Sequence, residues 1–190
     1  MVELAATHAA SFAWVSYYHA YQADLHGRLW SRGRVETTSM REFIWRYTFG
    51  QHNHNDCGNG YRPLLRITKP GARAYPDAIR EPSARQTRYN DKRADPRGRV
   101  PDDVWEFSRV CGTFKERRRW HPNQHPEALI ERIVKFSTGA GDTVVDMFAG
   151  TGTTLRVCKR LGINCIGIDI SRRYCERIAA ETGAELVEHE

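Results

Sequence analysis

The stretch that most limits what this chain can fold into lies in its last third: Asp146-Met147-Phe148-Ala149-Gly150-Thr151-Gly152-Thr153-Thr154, with Asp169 further on. Thr143 to Asp146 (TVVD) reads as a strand ending on an acid, Phe148 to Thr154 as a glycine-bearing loop, and Thr154 to Leu161 as a helix. Asn164 to Ile170 (NCIGIDI) reads as a second strand and Ser171 to Thr182 as a second helix with Ser171 as N-cap. Upstream, Pro126 opens a helix whose apolar face is Ala128, Leu129, Ile130, Ile133, Val134 and Phe136. Strand–helix–strand–helix with short turns predicts a parallel α/β sheet.

The residue types in this loop point to a nucleoside ligand. Gly150 and Gly152 have no Cβ, so a ligand can approach the backbone closely. The helix that follows presents backbone N–H groups without intrahelical partners. A carboxylate near the end of the next strand, Asp169, can accept hydrogen bonds from both ribose hydroxyls. A P-loop requires Gly-Lys-Ser/Thr, but Gly152 is followed by Thr153-Thr154, which disfavours ATP. A dinucleotide fingerprint needs a third glycine where Leu155 stands; this weakens NAD and leaves it open. An acid at Asp146 suits a ligand bearing a cationic amino group, such as the methionyl part of S-adenosylmethionine. The bland alternative is a βα turn whose glycines only make the bend.

Elsewhere the chain reads as globular. Hydrophobic residues make up 40% and charged residues 27% of 190, which argues against wholesale disorder. No apolar run reaches the ~18 residues of a membrane span, and no secretory leader is evident. Five cysteines without a Cys-x-x-Cys pair disfavour a disulfide scaffold or zinc ribbon and make reduced thiols in the cytoplasm the default expectation. His52, His54 and Cys57 lack a fourth ligand, so no metal site is assigned. Residues 2–10 and 22–30 suggest helices, and residues 12–18, 41–48, 61–68 and 104–107 suggest strands. Trp14, Tyr17, Tyr18, Trp105, Phe107 and Trp120 are expected in packing rather than in base stacking. The Pro-, Gly- and Arg-rich stretch 70–103 suggests a long, weakly structured insertion.

The net charge of +6 is uneven: residues 79–120 hold 12 basic and 7 acidic residues, and ten of the 12 are arginines. Arginine's planar fork suits phosphate, so this stretch is either a polyanion-binding patch or a solvated loop. Arg117, Arg118 and Arg119 are the best candidates for contact with the phosphates of a polyanion, though a solvated charge run is close behind.

Asp146 to Thr154, followed by Gly167-Ile168-Asp169-Ile170 and Tyr174, resembles the cofactor motif of the DNA amino-methyltransferases, the N6-adenine/N4-cytosine family. The family commonly has D-P-F-x-G-x-G-T-T here, and this chain has Met147 where proline is usual. His121-Pro122-Asn123-Gln124-His125-Pro126-Glu127-Ala128-Leu129 resembles the family's H-P-x-Q-x-P-x-x-L segment, in the same order and spacing. The resemblance covers about residues 104–182. It implies a Rossmann-like α/β sheet, circularly permuted in the β-type order, and methyl transfer from S-adenosylmethionine to an exocyclic amine of adenine or cytosine in double-stranded DNA. The implied cofactor-binding residues are His121, Gln124, Pro126, Asp146, Phe148, Ala149, Gly150, Gly152, Thr153, Thr154 and Asp169. The implied organisation is the later part of a catalytic half over residues 1–77, a basic, target-recognising insertion over 78–118, and a cofactor-binding half over 119–190.

The family's catalytic tetrad, [DNS]-P-P-[YFW], holds and stacks a base extruded from the duplex. This chain has none: Asp95-Pro96-Arg97-Gly98 shares only its first two residues, and Tyr75-Pro76-Asp77 is no better. In the permuted order the tetrad belongs before about residue 10, so no catalytic residue is assigned. The sheet is therefore expected to lack its central catalytic strand, either as a truncated or split enzyme or as a chain that needs a second polypeptide to complete it. The alternatives are an inactive remnant that binds cofactor or DNA without turnover, and a small-molecule methyltransferase, which the His121–Leu129 segment and the basic middle disfavour.

Overall fold

A computed structural model of the protein describes residues 9–18, 27, 39–51 and 53–187. The expected helices at 2–10 and 22–30 fall almost wholly outside these residues, as does His52. The chain divides into two compact units, Met1–Ser108 and Arg109–Glu190.

The first unit is built on a four-stranded sheet of β1 (Phe12–Ser16), β2 (Ser39–Gln51), β3 (Asn59–Thr68) and β4 (Val104–Glu106), in the order β1-β3-β2-β4. β3 pairs antiparallel with β1 and β2, and β4 runs parallel to β2. Period-two alternation explains the two faces. Ala13, Tyr17, Leu65 and Ile67 are buried together on one, with Val15 and Met40 packed against them. On the other, Trp14, Phe43 and Trp105 meet with ring centroids 5.0–5.7 Å apart, and the Arg66 guanidinium lies over Trp14 and Phe43. Buried indoles require partners for their N–H groups: Trp45 donates to the Phe107 carbonyl and Trp105 to the Asp102 carbonyl, both at 2.8 Å. Tyr18, by contrast, is exposed beneath Arg62.

The stretch 70–103 is not weakly structured. It holds a 3-10 turn at Pro76–Ile79 and a one-turn helix, α1 (Ala84–Thr87), whose Ser83 and Gln86 form a reciprocal capping box. Glu81 and Arg99 exchange backbone hydrogen bonds of 2.8 and 3.0 Å. Five of its seven arginines are laced to its own acids: Arg80 to Asp77 and Asp95, Arg85 and Arg93 to Asp91, Arg97 to Asp95, and Arg99 to Glu81 and Asp102. Poor hydrophobic periodicity concealed this order because polar pairing, rather than an apolar stripe, supplies it.

The second unit holds α2 (Glu127–Ser137), β5 (Thr143–Asp146), α3 (Thr153–Leu161), β6 (Asn164–Gly167) and α4 (Arg172–Thr182). β5 and β6 pair in parallel, Asp146 opposite Gly167. Val144, Cys165 and Ile163 pack on the buried Val134, Val157 and Cys158 of α2 and α3. Ala149, Leu155 and Ile178 form a second cluster, against which Trp120 packs. The opposite face of the strand pair is bare: Val145 is 54% exposed, Ile166 55% and Ile168 50%. Three local expectations need correction. β6 stops at Gly167, so Asp169 lies in the turn beyond it. Pro126 is the N-cap of α2 rather than its first helical residue. The Ser171 hydroxyl makes no cap bond; its amide instead donates to Asp169. Among the described residues no helix is long and apolar enough to cross a membrane.

Candidate functional site

Past the ends of β5 and β6 the backbone ladder continues. The Ile168 amide donates to the Asp146 carbonyl and the Ala149 amide to the Ile168 carbonyl, each at 2.8 Å. This seats the glycine loop beside the segment that carries Asp169. Both carboxylates then close on the loop. Asp146 accepts from the Phe148 amide at 3.0 Å and the Thr154 hydroxyl at 2.6 Å. Asp169 accepts from the Gly150 amide and from the Ser171 amide, each at 2.9 Å. An ionised carboxylate offers about four acceptor positions, and these bonds use two on each acid.

The backbone requires its glycines at two positions. Gly152, the N-cap of α3, has φ +73°, and a Cβ there would lie 2.9 Å from Ile178. Gly150 has φ +50°, and its missing Cβ leaves room for the His121 ring, whose Nε2 would lie 3.3 Å from it. The His121 Nδ1 stands 2.5 Å from the Asn123 carbonyl oxygen. The Asn123 amide also meets this nitrogen, at 3.2 Å, so both backbone groups of Asn123 converge on Nδ1 and hold the ring beside the loop. Tyr174 packs edge-on to His121 at 5.0 Å between centroids and lies 5.3 Å from Trp120.

The structure thus brings His121, Asp146, Phe148, Gly150, Gly152, Thr154 and Asp169 together at one loop. Phe148 is 65% exposed there. Ala149 lies in the core beneath, and the Thr153 hydroxyl is buried against that of Thr151. Gln124 and the buried Pro126 shape the segment that carries His121. The Gln124 side chain accepts from the Arg118 amide at 2.8 Å and donates to the Glu116 carbonyl at 2.7 Å. The Arg118 side chain pairs with Glu181 at 2.8 Å, while Arg117 and Arg119 are exposed. Asp95, of the incomplete tetrad, pairs with Arg97 and Arg80 in the first unit. Sequence reasoning missed Arg156, Glu127 and Glu181, charged residues that tie α2, α3 and α4 together. Among the described residues no group of three His, Cys, Asp or Glu side chains is placed to hold a metal ion.

The family model described as "DNA methylase", for the N6/N4 methyltransferases, matches residues 11–181. The chain belongs to the DNA methylase family. This methylase chain is 40% identical over 134 residues to the type II methyltransferase M.HpaI of Haemophilus parainfluenzae, covering 70% of itself and 41% of that relative. It is 36% identical over 141 residues to M.BglII of Bacillus subtilis, covering 70% and 39%. With the DNA adenine methyltransferase YhdJ of Escherichia coli (strain K12) it shares 35% over 148 residues, covering 72% and 50%. The chain therefore spans between two-fifths and half of the length of these relatives. Among solved structures, the M1.HpyAVI–SAM complex superposes with a TM-score of 0.58 at 20% identity, covering 90% of this chain and 73% of that one. The cytosine-N4-specific PvuII DNA methyltransferase gives 0.63 at 14%, covering 88% and 61%. At such identities the likeness shows the fold, the Rossmann-like α/β sheet of this class.

Proposed function

We propose that this methylase chain supplies the cofactor-binding half, with the later part of the catalytic half in permuted order, of a site-specific DNA methyltransferase. Its reaction would be transfer of a methyl group from S-adenosylmethionine to the N6 amine of adenine or the N4 amine of cytosine. The observation that carries this reading is the joining of two carboxylates, Asp146 and Asp169, to one glycine loop. The donor set fits the cofactor: two acids with acceptor positions to spare, a left-handed glycine bend and a helix start.

When bound, S-adenosylmethionine supplies an electrophilic sulfonium methyl group. Asp146 would hold the cationic amino group and Asp169 the ribose hydroxyls. His121, Phe148, Gly150 and Gly152 would line the nucleoside and keep water from it. Arg117 and Arg119 would contact DNA phosphates, with Arg118 holding their segment in place, and residues 78–118 would contribute to target recognition. The setting would be the cytoplasm.

We further infer that a second polypeptide bearing an Asp-Pro-Pro-Tyr-type segment completes the enzyme. Parallel strands are ordinarily covered on both faces. Among the described residues β5 pairs with β6 alone, and the apolar face of Val145, Ile166 and Ile168 is open. Relatives at least twice as long as the part matched have chain enough to cover such a face.

Calorimetry with S-adenosylmethionine tests the site: wild type binds, and Asp146→Ala and Asp169→Ala do not. A tritiated-methyl assay on unmethylated DNA tests the reaction, with turnover expected once the complementing polypeptide is added. Binding without transfer in that mixture would select the remnant reading instead.

A further inference from the structure

Arg156 stands one turn into α3, flanked by the buried Leu155 and Val157, and its side chain is only 13% exposed. Its guanidinium meets three elements at once. Nη1 donates 2.6 Å to the Thr151 carbonyl, in the middle of the glycine loop. Nε donates 3.1 Å to Glu127, the first residue of α2, and Nη1 lies 3.4 Å from Glu181 of α4. Nη2 donates 3.3 Å to the Thr153 hydroxyl.

Its two acidic partners extend the clasp. Glu181 also accepts from Arg118 at 2.8 Å. The Glu127 amide donates to the Glu116 carboxylate at 3.0 Å. The segment 116–127, which carries His121, is thus tied at both ends to the group that holds the Thr151 carbonyl. Within the loop the Thr151–Gly152 peptide is anchored on its amide side, where Gly152 donates 2.6 Å to the Ala149 carbonyl, and the buried Thr151 hydroxyl meets that of Thr153. A largely buried fork binding the carbonyl of the same peptide fixes its other side.

We propose that Arg156 is a positioning residue of the cofactor site, one that sets the plane of the Thr151 peptide between Gly150 and Gly152 and docks the His121 segment against it. The inference rests on the site reading given above. It predicts that cofactor affinity depends on the fork geometry of Arg156 and not only on its charge.

Arg160 provides the control. It sits on the same helix and pairs with Glu127 and Glu131 at 2.7 and 2.8 Å, and no hydrogen bond joins it to the loop. Arg156→Lys and Arg160→Lys would each be titrated with S-adenosylmethionine by calorimetry, beside Asp169→Ala. The Gly150 and Gly152 amide resonances would be recorded in the free proteins. Arg156→Lys is expected to displace both resonances and to weaken binding about tenfold, equivalent to about 1.4 kcal/mol. Arg160→Lys should leave the resonances in place and the affinity within about twofold of wild type, as for an exposed ion pair. Unmoved glycine resonances in Arg156→Lys overturn the proposal, whether or not the chain alone binds cofactor. So does a loss of affinity as large in Arg160→Lys, which would mark a merely structural clasp. Wild-type affinity in Asp169→Ala would instead overturn the site reading itself.

Discussion

Gly152 shows how sharply one residue can be specified by its backbone. Its φ of +73° lies where side-chain-bearing residues are strained, and Ile178 occupies the space a Cβ would need. Gly152→Ala is therefore expected to destabilise the second unit by about 2–4 kcal/mol, combining left-handed strain and overpacking, as read by urea unfolding. Glu127 carries a different signature. Burial pushes its carboxyl up, but hydrogen bonds from Arg160 and Arg156 outweigh that and hold it below the usual carboxylate range. A depressed folded pKa means that the unfolded chain binds the proton more readily. The stabilisation is thus complete above the ordinary glutamate value, about 4.3, and is lost as pH falls through the lower, folded value. Acid unfolding of wild type should steepen over that window, and Glu127→Gln should flatten it while lowering stability at neutral pH. Sequence reading named Asp146, Gly150, Gly152 and Asp169 because each residue type carries its own chemical reason. Arg156 escaped because an arginine in a helix after a glycine loop has no distinguishing local pattern.

At the scale of elements, the insertion and the β5–β6 layer test different forces. α1 is a single turn held by its capping box, in which the Gln86 amide donates to the Ser83 hydroxyl and the Ser83 amide to the Gln86 side chain. Ser83→Ala should remove one orphan-amide partner at about 0.5–2 kcal/mol, opening the 76–99 stretch to proteolysis while β1–β3 stay protected from hydrogen exchange. Between α3 and β6, the Cys165 thiol is pushed well above the ordinary range by its contact with Cys158 and by burial. With Cys158 fully buried and Cys57 exposed, native-state alkylation followed by mass spectrometry should label Cys57 first and Cys158 and Cys165 only on unfolding. The strands expected at 12–18, 61–68 and 143–146 form over Phe12–Ser16, Asn59–Thr68 and Thr143–Asp146, and were legible because alternation or an apolar run marks them. β2 extends beyond its expected 41–48 to Ser39–Gln51 because β3 pairs along most of its length. β6 stops short of its expected end because the chain turns to place Asp169 against Gly150.

On the scale of the whole molecule, the bare face of β5–β6 is the feature that decides behaviour. A patch of Val145, Ile166 and Ile168 open to water favours association. Val145→Lys with Ile166→Glu, which face each other across β5–β6 and so pair opposite charges, should leave the fold near wild-type stability and reduce self-association of the isolated chain by sedimentation velocity. The same pair should abolish capture of the complementing polypeptide. Unchanged capture would mean that the partner docks elsewhere.

The sequence by itself determined the family, the order of strands and helices around the glycine loop, and the acids Asp146 and Asp169 that stand at or just past the ends of the two parallel strands. Those follow from local chemistry: glycine where φ must be positive, carboxylate where hydroxyl or amine donors must be met, apolar period where a layer must be buried. Tertiary structure alone decided that five of the six arginines between 79 and 103 pair with acids of the same stretch, that Arg118 faces Glu181, and that Arg156 links three helices to one peptide carbonyl. Charge pairing acts over a few ångströms between residues up to 63 positions apart, and the linear order of a chain carries no record of which opposite charges its fold will bring into reach.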